Sequence, residues 1–149
     1  MSPLDAFSEL GDVTYEVGCA DVKCHNDTHV YKAAEAAKNA DATIILVGTD
    51  LSIEAEERDR EDLLLPGYQT EMVNQVTDLS TGPVILVVMC GGPIDISFAK
   101  NNPKIAAILW AGFPGEQGGN AIADIVFGKY NPGMLPTDSL YLHELIVIV

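Results

Sequence analysis

Apolar residues fall along this chain in two rhythms. Three runs are continuous and rich in β-branched or aliphatic side chains: "TIILVG" (43–48), "PVILVVM" (83–89) and "KIAAILWAG" (104–112). A strand without polar alternate positions is one buried on both faces, as in a parallel sheet covered by helices. Between these runs the spacing becomes helical. "HVYKAAEAAKNA" (29–40) is Ala-rich with apolar residues three and four apart. "PGYQTEMVNQVTDLS" (66–80) sets Met72, Val73, Val76 and Leu79 on one face of a helix starting near Pro66. "PIDISFAKN" (93–101) predicts a short helix or helical turn, and "EQGGNAIADIVFGKY" (116–130) a longer one with Gly128 near its end. Only "VTYEVG" (13–18) alternates with period two, which predicts a short strand.

Buried strands separated by helices predict βαβ units, right-handed crossovers and a mainly parallel sheet with helices on both faces. The expected fold is α/β: a three-layer sandwich of flavodoxin-like type. The tail "SLYLHELIVIV" (139–149) reads as an added strand. In open parallel sheets ligands lie beyond the carboxyl ends of the strands. Three loops leave such ends here, "GTDLSIEAEERDR", "CGGPID" and "AGFPGEQGG". The first carries carboxylates; the other two carry glycines that allow close approach.

Composition narrows the chemistry. The 149 residues suffice for one domain with a real core, and 48% hydrophobic content argues for a folded globule. Eight basic against 22 acidic residues leave a net charge of -14. Such a field repels phosphate backbones and anionic membranes, so nucleic acid is a poor partner and neutral ligands such as sugars stay open. No run reaches the roughly 20 apolar residues of a membrane span. "MSPLDAFSEL" lacks the basic segment and apolar core of a signal peptide. Either the chain stays where it is made, or it is the later part of a longer secreted protein. Cys19 and Cys24 in "CADVKC" have a spacing that closes a small disulfide loop; a zinc pair with His25 and His29 nearby is the competing reading. Cys90, at a strand end, reads as a buried thiol.

Residues 48–67 hold seven acidic side chains in twenty positions. A solvated face is the plain reading of Glu54, Glu56, Glu57, Asp59, Glu61 and Asp62, with Arg58 and Arg60 offsetting the repulsion. The functional reading is a carboxyl group shielded by Ile53, Ala55 and the leucines 63–65, able to deliver a proton near neutral pH. Glycosidic cleavage needs such a donor plus a second carboxylate. Glu116 is the only further candidate, and it reads equally as an acid favoured by a helix dipole. Asp95 reads as a cap of the short helix after "GGP". Trp110 could stack on a sugar face or pack in the core. His25, His29 and His143 form no evident triad with a serine, and "CGGPID" is no phosphate-binding glycine motif.

With "GCADVKC", "AAKNADATIILVGTDLSIEAEERDREDLLLPG", "GPVILVVMCGGPIDISFAKNNPKIAAILWAGFPGEQGGNAIADIVFGKYNPG" and the following "LP" in view, the chain resembles the C-terminal α/β-sandwich domain of glycoside hydrolase family 3, in its plant-type β-xylosidase/α-L-arabinofuranosidase branch. The matching runs extend from about residue 13 to Pro136, making 1–136 the domain and 137–149 a divergent tail. The resemblance implies a retaining exo-glycosidase of xylan and arabinan breakdown, outside the cell or in its wall, acting on small oligosaccharides or glycosides without cofactor or metal. It implies a partner (β/α)8 barrel, absent from this sequence, that carries the nucleophilic aspartate. The acid/base falls on Glu56 of the segment similar to "E-x-x-D-R", with Glu54 in reserve and Asp59 and Arg60 as a pair ordering the loop. Glu57 stands where the family usually has glycine. The expected parent is therefore an enzyme and the isolated chain inactive. Two rivals are a non-catalytic sugar-binding or regulatory module, and a nucleotide-binding domain for FMN or ATP, which the charge of -14 opposes.

Overall fold

The computed structural model describes residues 1–132. Its sheet has three parallel strands, β1 (Thr43–Gly48), β2 (Val84–Met89) and β3 (Ile105–Trp110), in the order β1-β2-β3. Five helices accompany it: α1 (Pro3–Ser8), α2 (Val30–Lys38), α3 (Gln69–Leu79), α4 (Ser97–Lys100) and α5 (Gly118–Val126). The three continuous apolar runs thus become the three strands, with Leu86 and Val87 of the central strand wholly buried from opposite sides.

Strand order decides where the helices go. Right-handed crossovers between neighbours taken in sequence carry both connecting helices to one face. Accordingly α3 and α4 pack with α2 on a core of Val30, Met72, Val73, Val76, Val84, Leu86 and Ala99. The opposite face is covered by α1 and α5. There Ala6 and Phe7 of α1 meet Ile122 and Ala123 of α5 over Val87 and Leu109. The result is a three-layer α/β sandwich.

Some elements differ from the expectations. Residues 13–18 form no strand; Val13, Tyr15 and Val17 alternate, but all are exposed and no neighbouring strand pairs with them. The helix expected from Pro66 begins at Gln69, because Gly67 turns through φ 52° with its backbone against the carbonyls of Lys23 and Cys24. The helix over 93–101 shortens to α4, and that over 116–130 to α5. Helix α1 was not expected: six residues are too few for periodicity, yet Ser2 and Asp5 form a capping box around Pro3. The tail at 139–149 and the boundary after residue 136 lie outside the described residues.

Candidate active site

The acidic loop leaves β1 through a backbone that only glycine tolerates. Gly48 has φ 151°, and a Cβ there would collide with the Met89 carbonyl. Thr49 N–H then donates to that same carbonyl at 2.9 Å, keeping the first loop residue on β2. Asp50 folds the next turn by accepting from Ser52 N–H at 2.8 Å and Ser52 Oγ at 2.6 Å. These Ser52 bonds hold the Asp50 carboxyl below its ordinary value. A group shifted down supports the fold above its unfolded value and loses that support as pH falls through the folded one, so this turn is weakened only in acid.

Beyond it the chain makes a two-residue hairpin turn. Ala55 and Arg58 exchange two backbone hydrogen bonds of 3.0 Å, and Glu56 and Glu57 are the residues between them. Glu57 takes φ 63°, the conformation that favours glycine at the second central position. Both glutamates are exposed, and neither makes a hydrogen bond or ion pair among the described residues. The shielding expected from Ile53, Ala55 and the leucines is missing from the tip itself: Leu63 and Leu64 are 51% and 58% exposed.

Arg60 ties this turn down, although not with its expected partner. Its Nε lies 2.7 Å from Glu54 Oε2, its Nη2 donates to the Pro93 carbonyl at 2.8 Å, and its Nη1 reaches the Asp62 carbonyl at 3.5 Å. Asp59 is exposed and forms no pair with it. Sequence neighbours point apart in an extended segment, whereas Glu54 faces Arg60 across the base of the hairpin. Glu54 is thereby an anchor of the loop, turned inward, while Glu56 and Glu57 are exposed together at its tip. Asp95 N–H donates to the Leu63 carbonyl at 2.7 Å, a second stitch to the loop after β2.

The floor of this rim is closed. Trp110 Nε1 donates to Cys90 Sγ at 3.1 Å, and Cys90 Sγ–H faces the Gly92 carbonyl at 3.1 Å. Burial pushes the Cys90 thiol up, although the Trp110 bond opposes it. Trp110 packs partly buried on the core, so its indole N–H is already spent. Asp95 accepts from Ser97 N–H at 2.8 Å at the start of α4, and the Ser97 side chain first, then this backbone bond, hold its carboxyl below the ordinary value. Glu116 is exposed just before α5, where its carbonyl receives the chain's amino terminus at 2.7 Å. Cys19 and Cys24 are joined in a disulfide with Cα atoms 5.0 Å apart, so neither sulfur is a free thiolate.

One residue escaped the sequence reading: Gln69, 4% exposed at the start of α3. Its signal was a polar side chain in phase with Met72, Val73 and Val76 on the apolar stripe. Its amide bonds both backbone groups of Gly48, at 2.8 and 2.9 Å.

The structure is thus an α/β sandwich whose first strand leads into an acidic hairpin anchored by Arg60 beyond the carboxyl ends of the sheet. Residues 1–141 match the family model of the Glycosyl hydrolase family 3 C-terminal domain, and the chain belongs to that family. It is 54% identical over 132 residues to Beta-D-xylosidase 1 of Arabidopsis thaliana, covering 89% of this chain and 17% of that protein. It is 55% identical over 136 residues to Beta-xylosidase/alpha-L-arabinofuranosidase 1 of Medicago sativa subsp. varia, covering 91% and 17%. Among solved structures, a GH3 exo-β-xylosidase in complex with a xylobiose aziridine activity-based probe superposes with a TM-score of 0.81 at 40% identity, over 86% of this chain and 16% of that one. A GH3 β-glucosidase of Bifidobacterium adolescentis superposes at 0.77 with 26% identity, over 99% and 24%. The chain therefore spans about a sixth of the length of the xylosidases it matches.

Proposed function

We propose that this domain supplies the acid/base carboxyl, Glu56, to a retaining exo-glycosidase that removes xylose or arabinose from the ends of xylan- or arabinan-type chains. The observation that carries the reading is the hairpin turn: Glu56 stands unpaired and outward at its tip, while Arg60 and Glu54 fix its base. The names of the similar xylosidases and arabinofuranosidases support the sugar class.

In the first step Glu56 gives its proton to the glycosidic oxygen as that oxygen leaves the anomeric carbon. A carboxylate on the companion barrel attacks the same carbon from the opposite side and forms a covalent glycosyl ester. In the second step the Glu56 carboxylate takes a proton from water, whose oxygen displaces the ester and frees the sugar. Retention requires the two carboxyl groups to stand about 5 Å apart. The barrel must therefore rest on the carboxyl-end rim, where Leu51, Leu63, Leu64 and Phe113 are exposed. On this reading the parent enzyme works outside the cell, in contact with wall polysaccharide. Among the described residues, no helix is long and apolar enough to cross a membrane.

The test is an assay with aryl xylosides and arabinofuranosides. The chain alone should give no turnover above buffer, and turnover should appear when a family 3 barrel is joined to it. Robust hydrolysis by the pure chain would contradict the division of carboxylates. Affinity for xylobiose without any barrel would favour a sugar-binding module.

A further inference from the structure

Every polar atom of the Gln69 amide is engaged although the side chain is buried. Oε1 accepts from Gly48 N–H at 2.8 Å, and Nε2 donates to the Gly48 carbonyl at 2.9 Å and the Val22 carbonyl at 2.6 Å. By bonding both the N–H and the C=O of one residue, the side chain does for the last residue of β1 what a neighbouring strand would do. The next residues open the loop that carries Glu56. Val22, at the other end of the bridge, lies within the loop closed by Cys19 and Cys24. That loop is seated on the start of α3, where Tyr68 N–H donates to the Cys24 carbonyl at 3.0 Å.

We propose that Gln69 is a positioning residue, holding the mouth of β1 to the disulfide-closed loop so that the Glu56 turn keeps its place. The inference rests on the reading of Glu56 as the acid. It makes the disulfide a brace for the loop that follows β1. A dithiol such as dithiothreitol opens the brace: two electrons and two protons pass to the S–S bond, two thiols form, and the reductant closes to its cyclic disulfide. Val22 is then no longer constrained, and the Gln69 bridge loses its fixed end.

Amide hydrogen exchange by NMR on the folded, oxidised chain tests this. In Gln69→Leu, protection of Gly48, Thr49, Ile53, Glu54 and Ala55 should fall about tenfold or more, with Leu86 and Val87 of β2 unchanged. Gln69→Glu sets carboxylate oxygens against two carbonyls, so it should be unprotected at neutral pH and recover part of the protection once the buried carboxyl is protonated in mild acid. Reducing the wild-type chain should lower the same protection, and reducing Gln69→Leu should lower it no further. Full protection in reduced wild-type chain overturns the proposal, as does a Gln69→Leu loop that exchanges like wild type. If Gln69→Leu does not fold, the reduction arm decides, since it alters no other side chain. These readouts follow loop order alone, so they stand or fall separately from the role of Glu56 in turnover.

Discussion

Glu57 shows how one side chain can sit against its backbone. At φ 63° it holds the left-handed conformation, which costs a residue with a Cβ about 1–2 kcal/mol. Glycine pays no such cost but loses more freedom on folding. Glu57→Gly should therefore stabilise the domain by about 0.5–1 kcal/mol in urea denaturation. A loss of stability would contradict the turn geometry. The loop that carries Glu56 was legible because it leaves the carboxyl end of a strand marked by a continuous apolar run. The partner of Arg60 was not, since Pro93 stands 33 residues away and Glu54 meets Arg60 only once the hairpin forms. Gln69 was legible in principle, as a polar side chain on an apolar stripe, but its partners in β1 and the disulfide loop were not.

The strands were read almost to the residue because continuous β-branched runs have few alternatives: 43–48 is β1 as expected, and β2 and β3 lose only end residues. Residues 13–18 had the alternation of a strand without an edge to pair with, and a pattern cannot say whether a partner edge exists. The loops were placed by the same logic, at the carboxyl ends, but their mutual stitching was not. Arg60 uses three nitrogens toward three acceptors on separate segments. A lysine offers one compact ammonium and no fork. Arg60→Lys should leave the sheet intact and release the hairpin, raising the rate of proteolytic cleavage within 54–62 about tenfold, the equivalent of one or two lost hydrogen bonds. Cleavage at the wild-type rate would mean that the turn is held by other contacts.

Beyond single elements, the net charge of -14 and the sheet covered on both faces fit the proposed work on a neutral ligand beside a companion domain. The sequence made the family legible through long matching runs. The proposed docking was not, because this chain matches only about a sixth of the relatives' length and the proposal assigns the attacking carboxylate to the rest. On the proposed reading Glu56 matters most when the departing group needs a proton. The direct measurement is the leaving-group dependence of Glu56→Gln, in an enzyme assembled from this domain and a family 3 barrel. Bond cleavage in alkyl xylosides should slow by about 10²–10⁴-fold, while the first step with dinitrophenyl xyloside, whose phenolate leaves unaided, stays close to wild type. Equal slowing of both substrates, or of neither, would contradict proton donation by Glu56.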